Sequence, residues 1–124
     1  MEMNRSSPGS IPGDGLDWDA ALARVGGDVD LLNDIARVFL DDCPRALAEL
    51  GDAGARGDCA LAERAAHGLK GAASNFGARR VVEASLDIER MGRAGTLDGF
   101  GAALEALENG LASLREELET LLGS

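Results

Sequence analysis

The C-terminal part of the chain restricts the fold more than any other segment. Its apolar residues recur at alternating spacings of four and three, at Phe100, Leu104, Leu107, Leu111, Leu114, Leu118 and Leu121. Residues with this spacing lie along one side of an α-helix and form a seam that packs against neighbouring helices. Gly99, Gly101 and Gly110 each cost about 1 kcal/mol of intrinsic helix stability relative to alanine, so this helix needs packing in order to form.

The chain from Leu16 onward shows the same helical spacing of apolar residues. We predict one short helix and four longer ones, over residues 16–25, 28 to 50 or 53, 58–76, 78–94 and from 96 onward. No segment alternates with the two-residue period of a strand. The predicted fold class is therefore all-α.

Capping and helix-breaking residues set these boundaries. Asp28, Asp58 and Thr96 are the predicted N-caps, because their side chains can accept a hydrogen bond from a free backbone N–H of the first turn. Residues 51–57, GDAGARG, are assigned to a loop. Pro44 lies inside the second helix and is expected to kink it.

The composition agrees with one helical domain. The 124 residues are 45% hydrophobic, 27% charged and 3% aromatic, with no Tyr, which disfavours a β-sandwich, a barrel or a disordered chain. Residues 1–15 contain almost no periodic apolar residues and are expected to form a flexible tail, so the predicted domain spans residues 16–124. Cys43 and Cys59 are too few and too far apart for a disulfide framework or a zinc site, and we expect two reduced thiols.

The net charge of −10 disfavours two classes of partner, since it repels nucleic acid and anionic lipid. No stretch approaches the roughly 20 apolar residues of a membrane helix, and the N-terminal residues lack the apolar core of a signal peptide. We therefore expect a cytoplasmic protein that binds neither nucleic acid nor membranes.

The third predicted helix separates an apolar face from a group of polar and small residues. At about 100° per residue, with Leu61 at zero, the apolar residues fall between roughly 0° and 80°. These are Leu61, Ala65, Leu69, Ala72 and Phe76. Roughly 180° to 280° around the same helix lie Lys70, Ser74, His67 and Gly71. The only histidine of the chain is therefore predicted to face solvent or a partner.

Each of these residues also has an ordinary explanation as a solvated surface residue. Gly68 and Gly71 are the harder ones to explain in that way, because each costs about 1 kcal/mol inside a helix. Small residues beside an exposed imidazole let another molecule approach His67. Lys70 could neutralise an anion near the ring, and Ser74 could donate a hydrogen bond to it.

Residues 66–78, AHGLKGAASNFGA, closely resemble the core motif of histidine-containing phosphotransfer (HPt) domains. The resemblance covers about residues 16–122 and includes Leu16-Asp17-Trp18, Gly26-Gly27-Asp28, Leu31-Leu32, Phe39-Leu40, Pro44, Leu86-Asp87-Ile88-Glu89 and Gly92-Arg93. It implies an antiparallel four-helix bundle with a short additional N-terminal helix. It also implies that His67 accepts a phosphoryl group from one aspartate and passes it to another, that Lys70 is the cation beside the phosphate, and that Gly71 is kept small for docking.

The same resemblance implies the partners. They are receiver domains of response regulators and of a hybrid sensor histidine kinase, with Mg²⁺ supplied by the receiver and no cofactor of the protein's own. We expect a monomeric phosphoryl carrier without kinase activity, because the chain has no room for a nucleotide-binding domain.

Glu89 is the candidate for orienting the histidine ring. If the third and fourth helices form an antiparallel hairpin, His67 lies opposite Ile88 and Glu89, and the helical wheel directs Glu89 into the seam between them. Its carboxylate could accept a hydrogen bond from Nδ1–H and leave Nε2 as the nucleophile. A salt bridge from Glu89 to Lys70 or Arg93 is the alternative.

Other functional classes fit the sequence less well. A catalytic pair of Cys59 and His67 fails because the residues lie about 12 Å apart along one helix and roughly 80° apart around it. A single histidine without a second ligand cannot hold zinc. A helical adaptor that binds a receiver or kinase without transferring phosphate remains open, although such a protein would usually lose the His, Lys or Gly of the motif.

Two groups of surface residues are further candidates for partner binding. Arg79 and Arg80 could supply positive charge beside the histidine face, or be ordinary solvated charges. Ala20 and Leu40 are candidates for an apolar docking rim.

Overall fold

Five helices make up the described part of the protein, which in this computed structural model is residues 16–123. They are α1 (Trp18–Arg24), α2 (Val29–Arg56), α3 (Cys59–Ser74), α4 (Arg79–Ala94) and α5 (Phe100–Gly123). α3 packs against both α2 and α4, and α5 packs against both α4 and α2. Short connections make successive helices antiparallel. The predicted four-helix bundle with a short N-terminal helix is confirmed, while the tail predicted at residues 1–15 lies outside the described residues.

Aspartate side chains cap the first three helices. Asp17, Asp28 and Asp58 each accept a backbone N–H three residues further on, at 3.0 Å in every case. This satisfies one of the donors that a helix N-terminus leaves free. The predicted caps at Asp28 and Asp58 are therefore confirmed.

The prediction of a loop at residues 51–57 is wrong. The helix α2 continues through Pro44 to Arg56, and Gly57 is its C-cap. Leu50 and Ala53 are fully buried in this last part of the helix. A Cβ placed on Gly54 would lie only 2.5 Å from a ring carbon of Phe100, so the glycine lets the start of α5 pack directly on α2. Apolar burial against α5 thus outweighs the intrinsic cost of glycine in a helix.

The predicted ends of two other helices also need correction. α3 ends at Ser74 rather than at residue 76, because the chain turns at Gly77 with φ of 64°. The carbonyl of Phe76 then accepts the N–H of Asp17 at 2.7 Å, which ties α1 to this turn. Phe76 itself remains fully buried.

The last helix begins at Phe100, four residues after its predicted cap. Thr96 instead accepts the N–H of Asp98 at 3.3 Å in the preceding turn. The predicted seam of α5 is correct up to Leu118, but Leu121 is 38% exposed. Gly110 is buried on the same helix, where its missing side chain leaves room for Val81 of α4.

The buried face of α3 is rotated from the predicted one. Its buried residues are Ala62, Ala65, Ala66, Leu69 and Ala73, whereas Leu61 and Ala72 are only half-buried. The centre of the face therefore lies about 50° nearer to Lys70 than predicted. This face packs against α4, and Gly92 allows so close an approach that a Cβ there would lie 2.6 Å from the carbonyl oxygen of Cys59.

Candidate functional site

The imidazole of His67 projects from the exposed side of α3. Its side chain is 68% exposed. Gly68 and Gly71 are exposed on the same helix, and an added Cβ at either would meet nothing within 4 Å. The predicted placement of His67 is confirmed, and the protein surface next to the ring is open.

Glu89 of α4 lies buried beneath the imidazole. It is 2% exposed, and its Oε2 lies 2.8 Å from Nδ1 of His67. The expected contact is therefore present. The salt bridges considered as its alternative are present at the same time, since Lys70 Nζ donates to Oε1 at 2.6 Å and Arg93 Nη2 donates to Oε2 at 2.9 Å.

These contacts determine which ring nitrogen of His67 carries its proton. Hydrogen bonds from Lys70 and then from His67 lower the pKa of Glu89 from its ordinary 4.5 to about 2, against the opposing effect of burial. The carboxylate is therefore ionised at neutral pH and can only accept, so Nδ1 is the donor. The lone pair of the neutral ring is then on Nε2, which has no hydrogen-bond partner among residues 16–123.

The remaining predicted site residues, Lys70 and Ser74, lie in different surroundings. The side chain of Lys70 is 28% exposed and reaches Glu89 from the flank of α3, which the rotation of the buried face explains. Ser74 lies two turns beyond His67, and its hydroxyl donates to the carbonyl of Gly71 at 2.8 Å. Its own carbonyl accepts a hydrogen bond from Arg24 of α1. The structure does not bring Ser74 into the hydrogen-bond network around Glu89.

Two residues of this network were not assigned to the site from the sequence. The sequence indicates Arg93 only as an alternative ion-pair partner of Glu89, and it does not single out Glu63. Arg93 Nε donates to Oε2 of Glu63 at 3.3 Å, so Arg93 joins both carboxylates. Spacing was the available signal: Glu63 lies one helical turn before His67, and Arg93 lies one turn after Glu89.

An apolar groove runs between α2 and α3 beside the histidine. Its volume is about 470 Å³, and Gly68, next to His67, forms part of its wall. Ile35, Val38 and Phe39 line its α2 side, and Val38 is 59% exposed. The rim candidates Ala20 and Leu40 are half-buried and do not line this groove.

The other candidate residues lie on the surface or in the core. Arg79 and Arg80 are exposed at the start of α4, where Arg79 pairs with Glu83 at 3.3 Å. Cys43 is a buried free thiol whose pKa burial raises to about 11, and Cys59 is a half-buried free thiol. Within residues 16–123 no group of three His, Cys, Asp or Glu residues is arranged to hold a metal ion. In the same range no helix is both long and apolar enough to cross a membrane.

Comparisons with known proteins give one similar solved structure and one matching family profile. The chain is similar to the crystal structure of histidine-containing phosphotransfer protein B (HptB) from Pseudomonas aeruginosa PAO1, with a TM-score of 0.82 and 25% sequence identity. That alignment covers 92% of this chain and 97% of the other. A search of curated proteins gave no match. The sequence profile of the Hpt domain matches residues 34–119, more than half of the chain, and the protein therefore belongs to the Hpt domain family.

Proposed function

We propose that the protein is a phosphorelay intermediate that carries a phosphoryl group on Nε2 of His67. The observation that supports this most directly is an exposed imidazole whose Nδ1 is held by a buried, ionised Glu89. A phosphoryl carrier needs a nucleophile that is neutral near pH 7 and that can later leave, and imidazole has both properties.

The transfer step is a displacement at phosphorus. The Nε2 lone pair attacks the phosphoryl group of a receiver-domain aspartyl phosphate, the bond between phosphorus and the aspartate oxygen breaks, and the aspartate leaves as a carboxylate. A second receiver aspartate reverses the step. This chemistry depends mainly on positioning and charge neutralisation, for which Lys70 supplies a cation and the receiver supplies Mg²⁺.

The surroundings of His67 favour docking by a folded domain. Gly68 and Gly71 leave the approach to the ring open, and the groove between α2 and α3 offers apolar surface directly beside it. Receiver domains of response regulators and of a hybrid sensor histidine kinase are the proposed partners. We propose that the protein acts as a cytoplasmic monomer and has no kinase activity of its own.

Phosphotransfer from a labelled receiver tests this function. Receiver domains from the same organism, phosphorylated with a labelled small phosphodonor, should transfer an acid-labile, base-stable label to the wild-type protein. His67→Gln should abolish the label while its helical circular dichroism remains unchanged. Label retained by His67→Gln would refute the assignment. Stable binding of receivers without any transfer would indicate the adaptor function instead.

Incubation with ATP alone tests the carrier assignment. The protein should remain unlabelled without a kinase or a phosphorylated receiver. Efficient labelling from ATP alone would contradict that assignment.

A further inference from the structure

The carboxylate of Glu89 is shared by three donors, and two of them meet at one oxygen. His67 Nδ1 lies 2.8 Å and Arg93 Nη2 lies 2.9 Å from the same Oε2. Two nitrogens that donate hydrogen bonds to the same oxygen cannot be more than about 6 Å apart. The guanidinium of Arg93 therefore lies close to the imidazole, although no hydrogen bond within residues 16–123 joins the two groups, and its charge acts on the ring across Glu89.

A second contact holds Arg93 in this position. Its Nε donates to Oε2 of Glu63 at 3.3 Å, and Glu63 precedes His67 by one turn of α3. Arg93 is thus bound by a carboxylate from each of the two helices that form the site, although its side chain is 62% exposed. This bridging fixes one positive charge at the seam of α3 and α4.

An orienting carboxylate creates a problem for a nucleophilic imidazole. Glu89 holds Nδ1–H, but its negative charge also favours a second proton on Nε2. An imidazolium has no lone pair on Nε2 and cannot accept a phosphoryl group. A positive charge close to both groups opposes that second protonation without disturbing the hydrogen bond at Nδ1.

We propose that Arg93 is a positioning residue that offsets the charge of Glu89, so that Glu89 orients the His67 ring without favouring a second proton on Nε2. This inference rests on the proposed phosphotransfer function, which requires a neutral ring. The charged residues of α3 and α4 that lie within one turn of His67 or join the network around Glu89 are Glu63, Arg64, Lys70, Glu89 and Arg93. On α2, the charged residues Asp34, Asp42, Arg45 and Glu49 line the groove beside Gly68. Lys70 also offsets the charge of the Glu89 carboxylate, because its ammonium donates to the other oxygen, Oε1.

The test is an NMR titration of the unphosphorylated protein, whose single histidine makes the imidazole signals unambiguous. Arg93→Gln should raise the midpoint of the imidazole titration by on the order of half a pH unit, as expected for one solvent-screened charge at about 6 Å. Arg93→Lys should restore most of the wild-type midpoint. Glu63→Gln should lower it, because the variant removes a negative charge close to the ring.

The opposite signs separate an electrostatic role from a structural one. An unchanged or lowered midpoint in Arg93→Gln, or a raised midpoint in Glu63→Gln, would overturn the proposal. The pH profile of phosphoryl acceptance by Arg93→Gln should shift upward by the same interval as its titration. If no receiver phosphorylates the wild-type protein, the proposed function fails, and the titrations still decide whether Arg93 offsets the charge of Glu89.

Discussion

Gly92 allows α3 and α4 to lie close enough for Glu89 to reach His67. A Cβ at this position would lie 2.6 Å from the carbonyl oxygen of Cys59, 2.8 Å from the backbone nitrogen of Glu63 and 2.9 Å from Glu63 Cβ. Two of these three atoms belong to the backbone, which cannot rotate away as a side chain can. Gly92→Ala should therefore push the two helices apart.

The size of the effect follows from two opposing contributions. Alanine is favoured over glycine inside a helix by about 1 kcal/mol. Overpacking costs about 1–3 kcal/mol, and three contacts under 3 Å place Gly92→Ala near the upper end of that range. The free energy of unfolding should fall by about 2 kcal/mol, which lowers the Tm of a domain of this size by roughly 8 °C.

Gly71→Ala is the matched control for stability. It makes the same substitution inside α3, where an added Cβ meets nothing within 4 Å, so the free energy of unfolding should rise by up to about 1 kcal/mol. Urea unfolding followed by far-UV circular dichroism measures both variants. A Gly92→Ala protein as stable as the wild type would refute the close-packing argument. A similar loss of unfolding free energy in both variants would show that the destabilisation does not come from the contact between α3 and α4.

Three further predictions concern the site itself. Gly71→Arg should leave the free energy of unfolding unchanged or slightly higher, yet block transfer from a phosphorylated receiver by filling the approach to His67. An unfolded variant would contradict the open surroundings of Gly71. Glu89 has a pKa lowered to about 2, so the stability it contributes is fully present above its ordinary pKa of 4.5 and is lost as the pH falls toward 2. The difference in free energy of unfolding between the wild type and Glu89→Gln should therefore shrink over that interval, and a constant difference would contradict it. Glu89→Ala should slow transfer more than Glu89→Gln, because only the amide can still accept from Nδ1–H; equal rates would exclude an orienting role.

The sequence by itself determined the helical fold and the location of the histidine. The helical spacing of apolar residues and the caps at Asp28 and Asp58 depend on contacts within one or two turns, which sequence patterns record directly. The exposure of His67 followed from its position opposite the apolar face of α3. The hairpin register was sufficient to bring Glu89 to the ring, since short turns leave antiparallel helices little freedom of register.

Only the tertiary structure decided how far α2 extends and how α3 is rotated. The residues around Gly54 predict a loop, but in the fold this glycine provides the space that Phe100 occupies. Gly92 likewise allows α4 to approach α3 closely, and Lys70 reaches Glu89 across the seam between these helices. These outcomes depend on which backbone lies opposite each glycine, and the pairing of Arg93 with both Glu89 and Glu63 depends on the same approach. Local spacing cannot supply that information, because such contacts join residues of separate helices and exist only once those helices have packed.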